Sequence, residues 1–281
     1  MAFKRTLGGA LRATLVLAGM TLLLGARAAT FKFDCPPSAP REPCALVLEG
    51  LIAAGDAAAI DATLAGHNAV DNSFARWLVL NSPGGDVAEA VRIADVVRNR
   101  LLWTTNLNIV RYDPRNQAEE EAFGHVCAGT CFLVLMAGGN RALVSNPQSN
   151  ARIGLHRPYD DKATQKDAEE SLRAFARRER VPERLVDEMM SRSSPNAYWL
   201  TRKEAADLSG YASWFEEFAL AACGWDKPTE LDAWTRHQQA TGEQKRRIEE
   251  ALLRHTTEVR ICVNEKTRQA QHANPMPSRR R

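Results

Sequence analysis

Trp77-Leu78-Val79-Leu80-Asn81-Ser82-Pro83-Gly84-Gly85-Asp86-Val87 is the stretch that decides the fold class. Trp77 to Leu80 is a short unbroken apolar run, the pattern of a strand covered on both faces. Pro83-Gly84-Gly85 ends it in a turn. From Val87 to Arg100 the apolar residues Val87, Ala90, Val91, Ala94 and Val97 fall at helical spacing. A strand that breaks into a glycine turn and then a helix leaves backbone amides without partners, which suits holding a negatively charged oxygen.

Working outward, the same alternation recurs. Cys44 to Gly50 reads as an earlier strand, followed by an Ala-rich helix from about Asp56 to Ala65. Leu107 to Val110 reads as a further strand, Asp113 to Glu121 as a polar loop, and the uniformly apolar Thr130 to Met136 as a buried helix. Strands alternating with helices predict an α/β class. Between Asp160 and Arg192 the chain is highly charged, with apolar positions at Leu172, Phe175, Ala176, Val181, Leu185, Val186 and Met189. That pattern predicts two amphipathic helices parted near Val181-Pro182, with their charges on a solvated face. Pro228 to Cys262 predicts a further helix pair broken near Thr241-Gly242.

Three motifs carry the chemistry. They are Asn81-Ser82-Pro83-Gly84-Gly85, then Cys127-Ala128-Gly129-Thr130-Cys131 running to Ala137-Gly138, then Ile153-Gly154-Leu155-His156-Arg157-Pro158. In this order and spacing they resemble the ClpP-type serine peptidases of the crotonase-like superfamily. The closest likeness is to secreted ClpP-like proteins whose middle motif reads Cys-Ala-Ser-Ala-Cys. The resemblance covers roughly residues 44 to 212. It implies a spiral of β-β-α units over residues 29–212, oxyanion donors at Gly84, Gly85 and Thr130, and a base at His156. It also implies that the charged helices occupy the region through which that family makes subunit contacts, so a homo-oligomer is possible. Tyr198 to Ala206 matches the segment after the family's catalytic aspartate, but Asn196 stands where the acid is expected. Its side-chain carbonyl could orient the imidazole. Counting eight residues back from Ala137, as the family's pattern does, reaches Gly129, which has no nucleophile.

Two functional expectations follow. The first is an exported, catalytically degenerate peptidase homologue that keeps a groove for a peptide or protein ligand. The alternative is an active periplasmic hydrolase using Thr130 or Cys131 with His156. One helical step from Gly129 turns a side chain by about 100° away from the histidine, which counts against Thr130, and two steps take Cys131 farther round. Thioester chemistry without a protein nucleophile is disfavoured by the export signal. No cofactor is implied, and no metal: His125, Cys127 and Cys131 match no standard ligand spacing.

Lys4, Arg5 and Arg12 precede an apolar run from Ala13 to Gly25 and then Ala26-Arg27-Ala28, the pattern of a secretory signal peptide cleaved after Ala28. The run is shorter than the roughly 20 residues a membrane span needs. A periplasmic or secreted protein is therefore expected, with no stable membrane span after cleavage. The chain of 281 residues carries a formal charge of +3, but residues 1–28 hold four basic residues and no acid, so their removal leaves about −1. No basic surface for nucleic acid is indicated. A mean hydropathy of −0.35 suits a globular protein. Residues 213–268 are expected to form a helical extension, and 269–281, ending in Arg279-Arg280-Arg281, a disordered basic tail.

All six cysteines follow the signal segment, an even count for an oxidising compartment. Cys35 and Cys44 bracket the Pro-rich loop 36–40, and Cys223 and Cys262 flank the helical extension, so each pair is expected to form a disulfide. Cys127 and Cys131, at i and i+4 by a predicted helix, are expected to pack rather than to bond, because regular helix geometry rarely permits the bridge.

Overall fold

In the computed structural model, residues 29–35, 44–71, 75–109, 124–158 and 162–272 are described. The expected signal segment, the 36–40 loop, the 113–121 loop and the final residues 273–281 lie outside them. The architecture is mixed α/β. A six-stranded sheet has the order β1 (Thr30–Asp34), β2 (Cys44–Glu49), β3 (Ala75–Asn81), β4 (Trp103–Thr105), β6 (Asn140–Ala142) and β9 (Gly210–Tyr211). β2, β3, β4 and β6 run parallel, and the edge strands β1 and β9 pair antiparallel. A three-stranded sheet holds β5 (Val126–Ala128), β7 (Arg152–Leu155) and β8 (Tyr198–Trp199).

The central strands are those with unbroken apolar runs. Residues 44–48 of β2 and Leu78, Val79 and Leu80 of β3 are all buried, as parallel strands covered on both faces must be. Two helices cross between them: α1 (Asp56–Asp71) from β2 to β3 and α2 (Val87–Asn99) from β3 to β4. α1 runs past its expected end at Ala65. α2 buries Ala90, Ile93, Ala94 and Val97, and Asp86 caps it by accepting the Glu89 N–H at 2.7 Å. Beyond Asn81 the chain leaves β2 and turns to the small sheet. Ser82 N–H donates to Val126 O at 2.8 Å, and Ala128 N–H donates to Ser82 O at 2.9 Å.

α3 (Cys131–Met136) is the centre of the molecule, with every residue buried, and it packs on α2, β4, β5 and β7. Each of its large apolar side chains contributes about 1.5–3 kcal/mol by leaving water. α4 (Lys162–Arg178) and α5 (Glu183–Ser191) are the two amphipathic helices expected, and they break at 181–182. A 3-10 turn at Ser194–Asn196, β8 and α6 (Arg202–Leu208) close this part of the chain.

Among the described residues 107–109, the expected strand from Leu107 to Val110 is not formed. The strand is β4, four residues earlier, and Leu107 makes only an isolated bridge to Gly124. Asn106 ends the ladder, since its side-chain amide donates to Val144 O at 2.7 Å and its side-chain oxygen accepts Val144 N–H at 3.0 Å.

The extension comprises α7 (Ser213–Cys223), α8 (Lys227–Gln239) and α9 (Gly242–His272). α9 outruns the expected boundary at residue 268, because its end is held by the core. Arg100 donates to the carbonyls of Ala270 and Gln271 at 2.9 and 3.0 Å, and Gln271 donates back to Arg100 O at 2.8 Å. Leu101, Phe215, Ala219, Val259 and Val263 form a second apolar cluster between extension and sheet. Both expected disulfides, Cys35–Cys44 and Cys223–Cys262, are present. Among the described residues no helix is long and apolar enough to cross a membrane.

Candidate active site

The glycine turn after β3 is built from backbone. Gly84 N–H donates to Ser82 Oγ at 3.1 Å, Gly84 O accepts Ile52 N–H at 2.9 Å, and Ile52 O accepts Asp86 N–H at 3.0 Å. The residue pair must be glycine. At Gly85 (φ +151°) a Cβ would stand 2.0 Å from Ile52 O, and at Gly84 (φ +100°) one would stand 2.8 Å from both Ala128 O and Thr130 N. Thr130 therefore lies directly against the turn, joining the first motif to the second. No acceptor for the Gly85 or Thr130 amide is found among the described residues. Two neighbouring unpaired N–H groups are what stabilising an oxyanion requires.

The second motif is a strand-turn-helix elbow. β5 ends at Ala128, Gly129 turns at φ +54°, and α3 starts at Cys131 with Thr130 as its N-cap. Gly129 N–H donates to Gly154 O at 3.0 Å, which ties the elbow to β7. Cys127 and Cys131 are joined by a disulfide, contrary to the expectation that they only pack. The two cysteines do not share a helix. Cys127 belongs to the strand and Cys131 opens the helix, and the turn at Gly129 brings their Cα atoms to 5.4 Å, within normal bridging distance.

His156 follows β7 and is 3% exposed. Its ring lies on Gly129: a Cβ there would be 2.5 Å from Cε1 and 2.7 Å from Nε2. The structure thus brings together His156, Gly129, Thr130, Gly84 and Gly85. His156 Nε2 faces Pro83 O at 3.3 Å, and Nδ1 faces Arg157 O at 3.0 Å. Carbonyl oxygens only accept, so a neutral imidazole can donate to one of them and an imidazolium to both. Neither nitrogen presents a lone pair to an incoming hydroxyl in this arrangement. These two carbonyl contacts carry no sequence signal, since any residue supplies a carbonyl.

The other expected roles at the site are not taken up. Asn196 is exposed and its amide donates to Ser193 Oγ at 3.1 Å, so it does not orient His156. The Thr130 hydroxyl donates to Gly85 O at 3.2 Å rather than to the imidazole. Cys131, held in its disulfide, has no thiol. His125 is held below the usual histidine range, foremost by burial, and is not among the groups that meet at Gly129. Cys35, Cys44 and His67 have ligand atoms close enough for a metal, but the two sulfurs are bonded to each other and offer no thiolate. Among the described residues the arrangement brings two amides without an acceptor and an imidazole to the elbow, and no hydroxyl or thiol is presented to that imidazole. No protein-family model matches the chain, and no curated protein matches it.

Proposed function

We propose that the chain is an exported homologue of the ClpP-type serine peptidases, built as a crotonase-like spiral and catalytically degenerate at Gly129. In this reading it binds a peptide or protein segment without cleaving it. The observation that carries the proposal is the imidazole of His156 resting on the Cα of Gly129, where a serine side chain would otherwise project. The group that would serve as base occupies the nucleophile's space, and both its nitrogens face carbonyls. The Gly85 and Thr130 amides remain, and donors able to hold an oxyanion can equally hold the carbonyl of an uncleaved peptide. Three disulfides are compatible with the periplasm or secretion.

The alternative hydrolase using Thr130 or Cys131 is opposed by the Thr130 hydroxyl's bond to Gly85 O and by the disulfide at Cys131. A fluorophosphonate probe separates the two readings. The intact mass of the mature protein is expected to be unchanged, with casein-derived fluorescent peptides bound and left whole. An adduct mapped to Thr130 that disappears in His156→Ala, or cleavage of the peptides, overturns the proposal.

A further inference from the structure

The pair of buried carboxylates beside the glycine turn belongs to neither the oxyanion donors nor the imidazole. Asp56, at the start of α1, is 4% exposed, and Glu89, on α2, is 2% exposed. Asp56 accepts Ala53 N–H at 2.8 Å, and Glu89 accepts Ala57 N–H at 2.7 Å and the Arg92 guanidinium at 2.8 Å. Burial foremost, with the charge of Glu89 added, holds the Asp56 carboxyl above its usual range despite the Ala53 amide. The Arg92 guanidinium bonds Glu89, and among the described residues no cation is bonded to Asp56, so the buried pair lacks a second positive charge.

A second backbone N–H that favours the charged Asp56 carboxylate is that of Ala29. Ala29 is 9% exposed, is part of the main core and leads into β1. It is also the residue that follows the expected cleavage point at Ala28. We propose that Asp56 and Glu89 form the seat for the α-ammonium group of Ala29 created when the signal segment is removed.

The chemistry balances with water and a signal peptidase as the only co-reactants. Hydrolysis breaks the Ala28–Ala29 amide, leaves the carboxylate on Ala28 of the released segment, and leaves an amine on Ala29. That amine takes up a proton, since a free α-amine titrates near 7.7–8.0. A peptide N–H facing Asp56 becomes an ammonium with a full charge, and the pocket reaches neutrality. The consequence extends to the glycine turn. Asp56 holds Ala53, and its neighbour Ile52 grips the turn on both sides through Gly84 O and Asp86 N–H. Removal of the segment therefore braces the Gly84–Gly85 turn, whatever ligand that turn receives.

The test compares the exported protein, its N-terminus read by intact mass, with the same chain carrying Gly-Ser ahead of Ala29. The Ala29 amine, followed by NMR after 13C reductive methylation, is expected to titrate about one unit or more above its ordinary value. The melting temperature of the exported form is expected to exceed that of the extended form by about 6–10 °C. Asp56→Asn is expected to erase that gap, and if this variant does not fold, the amine titration of the unmutated protein decides. An ordinary amine titration with equal melting temperatures overturns the proposal, as does an exported protein that begins at another residue.

Discussion

Gly129 stands at φ +54° with the His156 ring against its Cα, so a single residue type holds both a backbone conformation and a packing arrangement. A side chain there meets two costs. The left-handed backbone disfavours an L-residue by about 1–2 kcal/mol. The Cβ must also push the imidazole away from its carbonyl partners, at about 1 kcal/mol more. Gly129→Ser is therefore expected to lower stability by about 2–3 kcal/mol in urea unfolding. It is also expected to restore little fluorophosphonate labelling, because Asn196 is turned to Ser193 and does not orient the histidine. Efficient labelling of this variant would show that the histidine is free to swing into a base's position.

At the scale of the element, the turn at Gly129 is locked by a disulfide and α6 by its cap. Cys127 and Cys131 are fully buried, whereas Cys35 is exposed and Cys223 and Cys262 are partly so. Thiol exchange needs access to a sulfur. Mild reductant on the folded protein is expected to open Cys35–Cys44 first and Cys127–Cys131 last, as read by alkylation and peptide mass. Early loss of Cys127–Cys131 would mean that the elbow opens far below global unfolding.

In α6, Glu204 accepts from Thr201 N–H at 2.9 Å, Tyr198 OH at 2.9 Å and Arg184 at 2.7 Å. Burial pushes its carboxyl up, but the Thr201 amide, Arg184, Tyr198 and the Thr201 hydroxyl outweigh it and bring the pKa to about 2. Because the folded value lies below the unfolded one, of about 4.3, the stabilisation is present above that value and is lost as pH falls toward 2. Glu204→Gln is expected to cost about 1 kcal/mol at pH 7. The difference from the unmutated protein should close between about pH 4.3 and 2 in acid unfolding.

Across the whole molecule, the helical extension is braced within itself by a disulfide and fastened to the α/β core by two kinds of contact. Cys223–Cys262 ties α7 to α9, and the apolar cluster around Phe215 lies between α7, α9 and Leu101. Arg100, which is 3% exposed, joins the end of α9 to Asp61 of α1 at 2.7 Å. Removing it strips two carbonyls and a partly buried carboxylate of their partner. Arg100→Ala is expected to cost about 2–4 kcal/mol and to make the end of α9 a protease site. Unchanged stability would mean that the extension is held by its apolar contacts alone.

The parts of the fold that can be read off the chain alone are those written in local periodicity. β2, β3, α2, α3 and the paired helices α4 and α5 each bury an apolar pattern that needs no distant residue to be recognised. Cys35–Cys44 and Cys223–Cys262 were also legible, because each pair flanks one segment, as was the nearness of the glycine turn to His156. The rest depends on how distant segments approach one another and needed the packed molecule to settle it. Whether Cys127 and Cys131 could bond rested on the turn at Gly129, which spacing cannot show. The end of α9 carries no apolar signal, yet Thr267 and Gln271 are buried there, with Gln271 bonded to Arg100 from a distant helix. Where the His156 ring would rest, and that Asn196 would stay at the surface, followed from the packing of β7 and the 3-10 turn, since a glycine specifies only that space is left and not what fills it.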